Sequence, residues 1–405
     1  MGNRFRAISG KGEFYHEESL GFFREKSGGR AVAAVLGTAL SFGAAPVPQA
    51  SASIGGAVLG AVQGGVVYAQ IDKELKYYNN TEEGRQKLLA QYKKKLGVNE
   101  DAFLNGQLED MMAEMTRGIR AVDPSIDKKP YVYFINNETS FNAFCSMGHV
   151  MSVNTGLYSM TTVPDEIAVV LLHEMGHGQK DHVVKSVRKK AGVAVGAMIL
   201  SGAAGSGVAD AILDIAVNQI DNVQITKPNE WEADNLALTY LLHTGYNPGA
   251  TAAMWQRVLE KMKSRPKDFV GEIFSPSDHP TEEQRRDNYA QRLTDLSGGN
   301  VTVAKGVVYV SGKKFVQPAA TGEMSGPERA YFVMGNLVAA CRTGQNAKEA
   351  YANGHTVLLG NQPVIACTDG DPDPQELADL LNRIKSSKPV VTPARELKLQ
   401  KQAGK

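Results

Sequence analysis

The chain has 405 residues, of which 42% are hydrophobic and 21% are charged, as in ordinary globular proteins. Its formal net charge at pH 7 is +1, which excludes a general electrostatic affinity for nucleic acid. The length is sufficient for two or three domains.

Residues 1–52 show the succession of zones that is typical of a secretory signal peptide. Basic residues up to Arg30 precede an apolar run, and Ala50, Ser51 and Ala52 fit a small-residue cleavage site. The lead before the run, about 30 residues, is longer than the usual layout. We therefore predict export of the chain. The alternatives are a disordered tail with a buried apolar helix, or an anchor that stays in the membrane and faces outward.

Residues 53–127 are predicted to be helical. Ser53 to Ile71 form a Gly- and Ala-rich apolar run that is near the minimum length for a membrane span but only weakly hydrophobic. This favours a packed or membrane-surface helix over a span. From Asp72 to Ala121, charged residues alternate with Leu and Met at helical spacing, as in amphipathic helices that wrap a core.

The segments YVYFI, from Tyr131, and HVMSVNTGLY, from His149, are predicted to be strands on either side of a turn. An exposed edge of such a sheet could hydrogen-bond an extended peptide as an added strand. Cys145 lies between the two segments, and a packed thiol is favoured there over a metal ligand.

The stretch LLHEMGHGQKDH, Leu171 to His182, follows an apolar run with helical periodicity. His173 and His177 are four residues apart, so a helix places them on one face. A catalytic zinc needs three protein ligands and one open position for water. Glu174 follows the first histidine and can act there as a proton acceptor. The motif therefore supplies two ligands and a base but lacks a third ligand.

A second helix is predicted in TKPNEWEADNLALTYLL, from Thr226. Glu230 and Asp234 share one face of it, so Glu230 would complete a His, His, Glu site. Asp234 would accept a hydrogen bond from the free nitrogen of His173 and fix its tautomer. The alternative is a surface helix with acidic residues in its first turn, where the helix dipole favours them.

Between the two motifs, residues 191–217 form another apolar stretch, which Gly202, Gly205 and Gly207 break into two short helices. The favoured interpretation is a hydrophobic helical hairpin packed on the core. A lid over the site or a contact with membrane are the alternatives.

Residues 299–387 are predicted to form a small α+β domain of two hairpins and two helices, followed by a polar tail, 388–405. Turns are expected at Lys305–Gly306, Ser311–Gly312 and Gly360–Asn361. In an exported protein, Cys341 and Cys367 of this domain could form a disulfide.

HEMGH followed by EWEAD resembles the zinc peptidases typified by HtpX and the CAAX prenyl protease, whose pattern is HExGH and then a helix bearing ExxAD. The resemblance runs from about Lys128 to Leu296 and implies a mainly helical gluzincin catalytic domain over residues 128–298. On this pattern the third ligand is Glu230 rather than Glu232. His182 matches a histidine that supports the site or has a structural role.

Two further segments carry the resemblance. Residues 141–159 look like the family's hairpin, which ends in an edge strand beside the zinc. This implies substrate contacts along a strand through Gly148, Val150, Ser152 and Asn154. The segment SDHPTEEQRRDNY resembles the family's HPxxxxR element and implies catalytic roles for His279 and Arg285. His279 would either plug the open metal position as a fourth ligand or stabilise the oxyanion.

The resulting prediction is an α+β protein: a mainly helical zinc peptidase domain with a small sheet, and a small C-terminal α+β domain. Its expected activity is hydrolysis of unfolded or misassembled polypeptides in a bacterial envelope or periplasm, with one zinc ion and without nucleic acid. Contact of the protein with a membrane surface is an alternative to its being free in the periplasm. The alternative function is a chaperone-like or partner-binding protein whose zinc site is latent because His279 plugs it.

Overall fold

The computed structural model describes residues 54–200, 207–218, 225–264 and 280–387. Three predicted features therefore lie outside the described residues: the signal peptide (1–52), His279 and the polar tail (388–405). The chain divides into the units Met1–Leu59 and Gly60–Lys405, and the first is described only over residues 54–59.

Within the described part of the chain, three helices precede the first sheet: α1 (Ile54–Asn80), α2 (Glu82–Leu96) and α3 (Ala102–Arg120). Side-chain oxygens of Thr81 and Asp101 accept hydrogen bonds from the first backbone N–H groups of α2 and α3, which fixes where these helices begin. Helix α1 runs unbroken from the apolar stretch into the charged one. Along the part of the chain that the structure describes, no helix combines the length and apolarity needed to cross a bilayer.

A three-stranded sheet lies beside these helices, with the strand order β1-β3-β2. Strand β1 (Val132–Asn136) pairs in parallel with β3 (Val150–Asn154), and β2 (Ala143–Cys145) pairs antiparallel with β3. All five residues of β3 are buried, as expected for a central strand covered on both faces.

The helices described after the sheet are, in chain order, α4 (Thr155–Met160), α5 (Pro164–Gln179), α6 (His182–Leu200), α7 (Val208–Asn218), α8 (Lys227–Leu241), α9 (Ala250–Ser264) and α10 (Glu282–Leu296). Helix α5 begins at Pro164. A proline is tolerated there because an N–H group in the first turn of a helix has no intrahelical acceptor. It buries Ile167 and Leu171 at helical spacing. The apolar stretch between the two histidine- and glutamate-bearing motifs contributes α6 and α7, which contact each other.

The C-terminal region contains the same arrangement twice, three antiparallel strands followed by a helix. The first copy is β4 (Val301–Ala304), β5 (Val307–Val310), β6 (Lys313–Val316) and α11 (Gly326–Arg342). The second is β7 (Ala350–Asn353), β8 (Thr356–Leu359), β9 (Gln362–Ala366) and α12 (Pro374–Ser386). Corresponding strands alternate identically between buried and exposed positions, and both sheets are irregular at the same point of the middle strand. The region is therefore a tandem βββα repeat.

This repeat corrects the predicted pair of hairpins in the second unit, where the strand β7 precedes the predicted hairpin. The predicted turns at Lys305–Gly306 and Ser311–Gly312 are present, and all four residues have positive φ. That conformation matches the twist of two-residue hairpin turns. The strand that was not predicted is β7, whose residues AYAN carry a weak strand signal. The predicted α+β class, mainly helical with small sheets, is confirmed.

The predicted disulfide between Cys341 and Cys367 is wrong, since both thiols are free, as is that of Cys145. Arg329 of α11 donates from Nη2 to the carbonyl of Ala366 at 2.8 Å, so this part of the helix lies beside the end of β9. Cys341 is three turns further along α11, about 18 Å along the axis at 1.5 Å per residue. The two Cα atoms are thus too far apart for a disulfide.

The buried core is continuous from the helices that precede residue 299 into the C-terminal repeat. One hydrophobic cluster contains residues of α3, α5, α8 and α9 together with residues of both repeat units. At the junction, a Cβ on Gly335 of α11 would lie 2.2 Å from the backbone nitrogen of Gly249, so these segments cross at a distance that only glycine permits. The boundary at residue 299 between two domains stays a prediction.

A buried charge cluster joins the first turns of α5 and α11 to α9. Arg257 donates from Nε to Glu166 at 2.7 Å and lies 3.4 Å from Glu328. One arginine thus faces two buried carboxylates. Burial raises the pKa of Glu166 and of Glu328. The charge of Glu166 raises the pKa of Glu328 further and Arg257 lowers it, and the resulting pKa of Glu328 is about 7.

We expect Glu328→Gln to flatten the pH dependence of stability. Because the pKa of Glu328 is raised from 4.5 in the unfolded chain to about 7, the folded state holds a proton that the unfolded state releases. The free energy of unfolding of the wild type should therefore fall by about 1–3 kcal/mol from this group as pH rises from 4.5 to 7. Urea unfolding of both proteins at pH 5 and pH 8 measures the difference. The exposed Glu323→Gln is the control, and an unchanged slope in Glu328→Gln would contradict the assignment.

Candidate active site

Two helices bring three buried side chains to one point. Helix α5 supplies His173 and His177, whose Nε2 atoms are 3.1 Å apart. Glu230, in the first turn of α8, places its two carboxylate oxygens 3.4 Å from Nε2 of His173 and 3.5 Å from Nε2 of His177. Among the residues that the structure describes, this is the one group of three His, Cys, Asp or Glu side chains whose ligand atoms all lie within 4.8 Å of one another.

These three side chains fit a metal ion. Two ligand atoms bound at 2.0–2.1 Å in a tetrahedral site are about 3.3 Å apart, which is close to the separations seen here. Two nitrogens and a carboxylate oxygen are also a donor set that binds divalent transition metals. Burial lowers the pKa of His177 well below its ordinary value, so that the ring is neutral and has a lone pair for a metal.

The two helices approach closely because both carry a small residue at the crossing. A Cβ on Gly176 would be 3.2 Å from Cα of Ala233, so a larger side chain at either position would push α5 and α8 apart. A Cβ on Gly178 would lie 2.7 Å from the hydroxyl of Tyr131 and 2.8 Å from Sγ of Cys145. The glycines of HEMGHG therefore let α5 lie against both α8 and the sheet.

A buried network lies behind His173. Its Nδ1 is 2.9 Å from Oδ1 of Asp234, the contact predicted from the sequence. Arg285 of α10 binds both carboxylate oxygens of Asp234, and Tyr289 donates its hydroxyl to the same carboxylate at 3.0 Å. Burial alone would raise the pKa of Asp234, but Arg285 and His173 hold it below its ordinary value. The carboxylate is therefore charged and orients the imidazole of His173.

This position corrects the catalytic role predicted for Arg285. Its side chain is 1% exposed, and its guanidinium carbon lies 3.8 Å from the ring centroid of Trp255. It contacts Asp234 and His173, so it holds other residues in place. Sequence reasoning missed Tyr289 and Trp255, since nothing in their local sequence distinguishes them from packed aromatic residues.

His177 has a support of its own. Its Nδ1 is 2.9 Å from Nδ1 of His182, and Nε2 of His182 is 3.1 Å from Oε2 of Glu232. Glu232 also pairs with Lys180 at 3.3 Å. A hydrogen-bonded chain thus runs from the carboxylate of Glu232 through His182 to His177. Glu232 was not predicted to take part, because its spacing of two from Glu230 places it on another face of α8.

Glu174 lies between the three-residue group and the sheet. Its Oε2 accepts a hydrogen bond from the backbone N–H of Cys145 at 3.1 Å. Burial and Glu230 raise the pKa of Glu174 to about 7, against the lowering effect of His173. A carboxylate with this pKa can both take up and release a proton near neutral pH.

The predicted substrate strand is wrong. Val150, Ser152 and Asn154 belong to β3, which is central in the sheet and paired on both sides. Gly148 precedes it in a tight turn with φ 69, and both its backbone groups are hydrogen-bonded, to Asn79 and Arg85. The edge strand beside Glu174 is β2.

The sequence could not predict that β2 is an edge strand, because this depends on the parallel pairing of β1 with β3. The backbone N–H of Ser146 bonds to Val150, and that of Asn154 bonds to Asn142. The backbone N–H and C=O groups of the even-numbered residues in and beside β2 therefore face β3. The N–H and C=O groups of Ala143 and Cys145 point away from it, and the N–H of Cys145 is bonded to Glu174.

Comparison with known proteins agrees with this geometry. The family model described as peptidase family M48 matches residues 103–292. A beta-barrel assembly-enhancing protease of Escherichia coli (strain K12) is 22% identical over 188 residues, 44% of this chain and 39% of that protein. The metalloprotease LoiP of the same organism is 26% identical over 183 residues, 44% of this chain and 69% of that protein.

Similarity extends to eukaryotes. The mitochondrial metalloendopeptidase OMA1 of Saccharomyces cerevisiae (strain ATCC 204508 / S288c) is 25% identical over 178 residues, 42% of this chain and 51% of that protein. The chain spans about 40% of the length of the beta-barrel assembly-enhancing proteases that it matches. The predicted family resemblance is thus confirmed: residues 103–292 match the model of peptidase family M48.

Proposed function

We propose that the chain is an exported zinc-dependent endopeptidase. The observation that carries the proposal is the buried group of His173, His177 and Glu230, with Glu174 directly beside it. The nitrogen-rich set with one carboxylate favours zinc among the biological divalent metals. A bound zinc ion would polarise the scissile carbonyl and lower the pKa of a water molecule.

Glu174 supplies the proton transfers in this proposal. Its carboxylate takes a proton from the attacking water and passes it to the nitrogen of the leaving amine. The raised pKa of about 7 suits a group that must do both in one cycle. The bond from Cys145 N–H to Oε2 holds the carboxylate toward the sheet edge, where the scissile bond would lie.

Two networks fix the ligand rings. Asp234, held by Arg285 and Tyr289, accepts from Nδ1–H of His173 and leaves Nε2 as a lone-pair donor. His182 accepts from Nδ1–H of His177 and donates from Nε2 to Glu232, which has the same effect on the second ligand. We assign Asp234, Arg285, His182 and Glu232 as positioning residues.

The substrate is proposed to be an extended polypeptide that pairs with β2. At the edge next to Glu174, Ala143 offers both backbone groups and Cys145 offers its carbonyl, since the N–H of Cys145 is bonded to Glu174; such backbone pairing accepts many side-chain sequences. This suits unfolded or misassembled proteins. The name of the beta-barrel assembly-enhancing protease and the signal-like N-terminus support a role in the bacterial envelope.

Digestion of reduced casein tests the proposal. The purified chain is freed of metal with a chelator, and one equivalent of zinc is then restored. Casein fragments should appear only with zinc, at internal positions identified by mass spectrometry. A chelator already saturated with zinc is the control. A chain that binds zinc but leaves casein intact would contradict the peptidase assignment.

The alternative of a latent, partner-binding protein depends on His279, outside the described residues, and no contact described here favours it. His279→Ala in the same assay separates the two. A wild type that is active excludes a permanent plug, whereas activity of the variant alone would establish one.

A further inference from the structure

Helices α1 and α6 lie side by side and antiparallel. Asp72 of α1 pairs with Arg188 of α6 at 2.7 Å. One turn away, a Cβ on Gly192 would lie 3.6 Å from the hydroxyl of Tyr68. The second contact is thus one turn earlier than the first on α1 but one turn later than the first on α6. The direction from Asp72 to Tyr68 on α1 is therefore the same as the direction from Arg188 to Gly192 on α6.

This end of the pair has no charged side chain. Residues 31–71 contain no Asp, Glu, Lys, Arg or His, and neither do residues 191–209. Helices on a water-exposed surface ordinarily carry charges on their outer faces. Two neighbouring helices that lose all charge at the same end indicate an environment other than water.

Large apolar side chains are exposed there. Val66 is 66% exposed, Tyr68 is 64% exposed and Val193 is 73% exposed. Single exposed apolar residues are normal on protein surfaces, but these three are grouped on two adjacent helices. We call Val66, Tyr68 and Val193 the apolar tip.

A surplus of positive charge borders the apolar tip. In α6 the basic residues closest to it are Lys185, Arg188, Lys189 and Lys190, and no acidic residue lies among them. The facing part of α1, residues 72–76, contains two acidic and two basic residues and is neutral. Apolar residues, an aromatic residue at the boundary and a basic border are together typical of helices that lie on anionic membranes.

We propose that the apolar tip docks on the surface of an anionic lipid bilayer. Val66, Tyr68 and Val193 enter the headgroup region, and Lys185 and Lys189 of α6 face lipid phosphates. Docking does not depend on the peptidase activity. Combined with the proposed function, it places the site near lipid: α6 begins at His182, beside the ligand His177, and Val193 is about 16 Å further along the helix.

Vesicle flotation of the full-length chain tests this proposal. The vesicles contain phosphatidylcholine alone or with 30% phosphatidylglycerol, roughly the anionic fraction at which surface attraction is strong. The variant Val66→Asp/Tyr68→Asp/Val193→Asp should lose at least about tenfold in partition onto anionic vesicles, since each apolar contact is replaced by a charge that lipid phosphate repels. Phe103→Asp is the matched control, because Phe103 is 77% exposed on another helix.

The charge contribution is tested separately. Lys185→Glu/Lys189→Glu should reduce binding to anionic vesicles about tenfold or more and abolish the preference for phosphatidylglycerol over phosphatidylcholine. Zinc content and casein digestion should stay at wild-type values in both variants, which shows that they are folded. Three results would overturn the proposal: no flotation of the wild type, equal flotation of the triple variant, or a triple variant that changes only the oligomeric mass.

Discussion

Glu174→Gln is expected to lower the rate of casein digestion by about 10³-fold or more and to leave zinc content unchanged. The glutamine side chain can still accept the hydrogen bond from Cys145 N–H, so the local structure is preserved. What it loses is the basic oxygen that takes a proton from the attacking water. Because Glu174 is not one of the three ligands, the metal site itself is intact in the variant.

The measurement combines the digestion rate with metal analysis of the same preparation. Glu283→Gln, an exposed glutamate in the first turn of α10, is the matched control and should behave as wild type. If Glu174→Gln retains more than about a tenth of the activity, another group is the base. If it loses both zinc and activity, Glu174 contributes to metal binding and the assignment of roles must change.

Arg285→Met is expected to produce the largest loss of stability, about 3–5 kcal/mol in the free energy of unfolding. The substitution leaves Asp234 buried without its arginine partner. The remaining contacts of Asp234, with His173 and Tyr289, do not replace two guanidinium bonds. Zinc affinity should fall about 10- to 100-fold, because Asp234 no longer holds His173 firmly.

A double-mutant cycle separates the pair from the individual side chains. Asp234→Asn alone removes the negative charge, and Arg285→Met/Asp234→Asn removes both charges, so the double variant should be less destabilised than the sum of the single ones. Urea unfolding of the metal-free proteins measures the four free energies. Arg286→Met, whose arginine pairs with Asp287 at the surface, should cost less than about 1 kcal/mol. Strict additivity would show that the pair contributes no coupling.

The sequence was most informative where the relevant geometry is local. His173 with His177, and Glu230 with Asp234, are each four residues apart on one helix, so 3.6-residue periodicity predicts a shared face. The contact between Asp234 and His173 followed from the chemistry of a supported imidazole. Glu232 lies equally close in sequence but makes its contact with His182 across two helices, and no local pattern indicates that.

Long-range pairing accounts for most of what the sequence could not predict. Whether β3 is central or at the edge depends on β1, which enters the sheet from the other side and in parallel. Tyr289 and Arg285 reach Asp234 from more than 50 residues away. The repeated βββα unit was missed for another reason: its two copies share burial pattern and turn positions rather than residue identities.

The tandem repeat and the metal site differ in contact order, with a consequence for folding. Every strand of the repeat pairs with a neighbour in sequence through a short turn, so each small sheet closes loops of only a few residues. The network behind His173 instead requires Arg285, 112 residues further along the chain. Since closing long loops carries a larger entropic cost, we expect the repeat to be ordered before the metal site. A nascent chain would then acquire the proposed peptidase centre only after most of its own backbone is protected in folded structure.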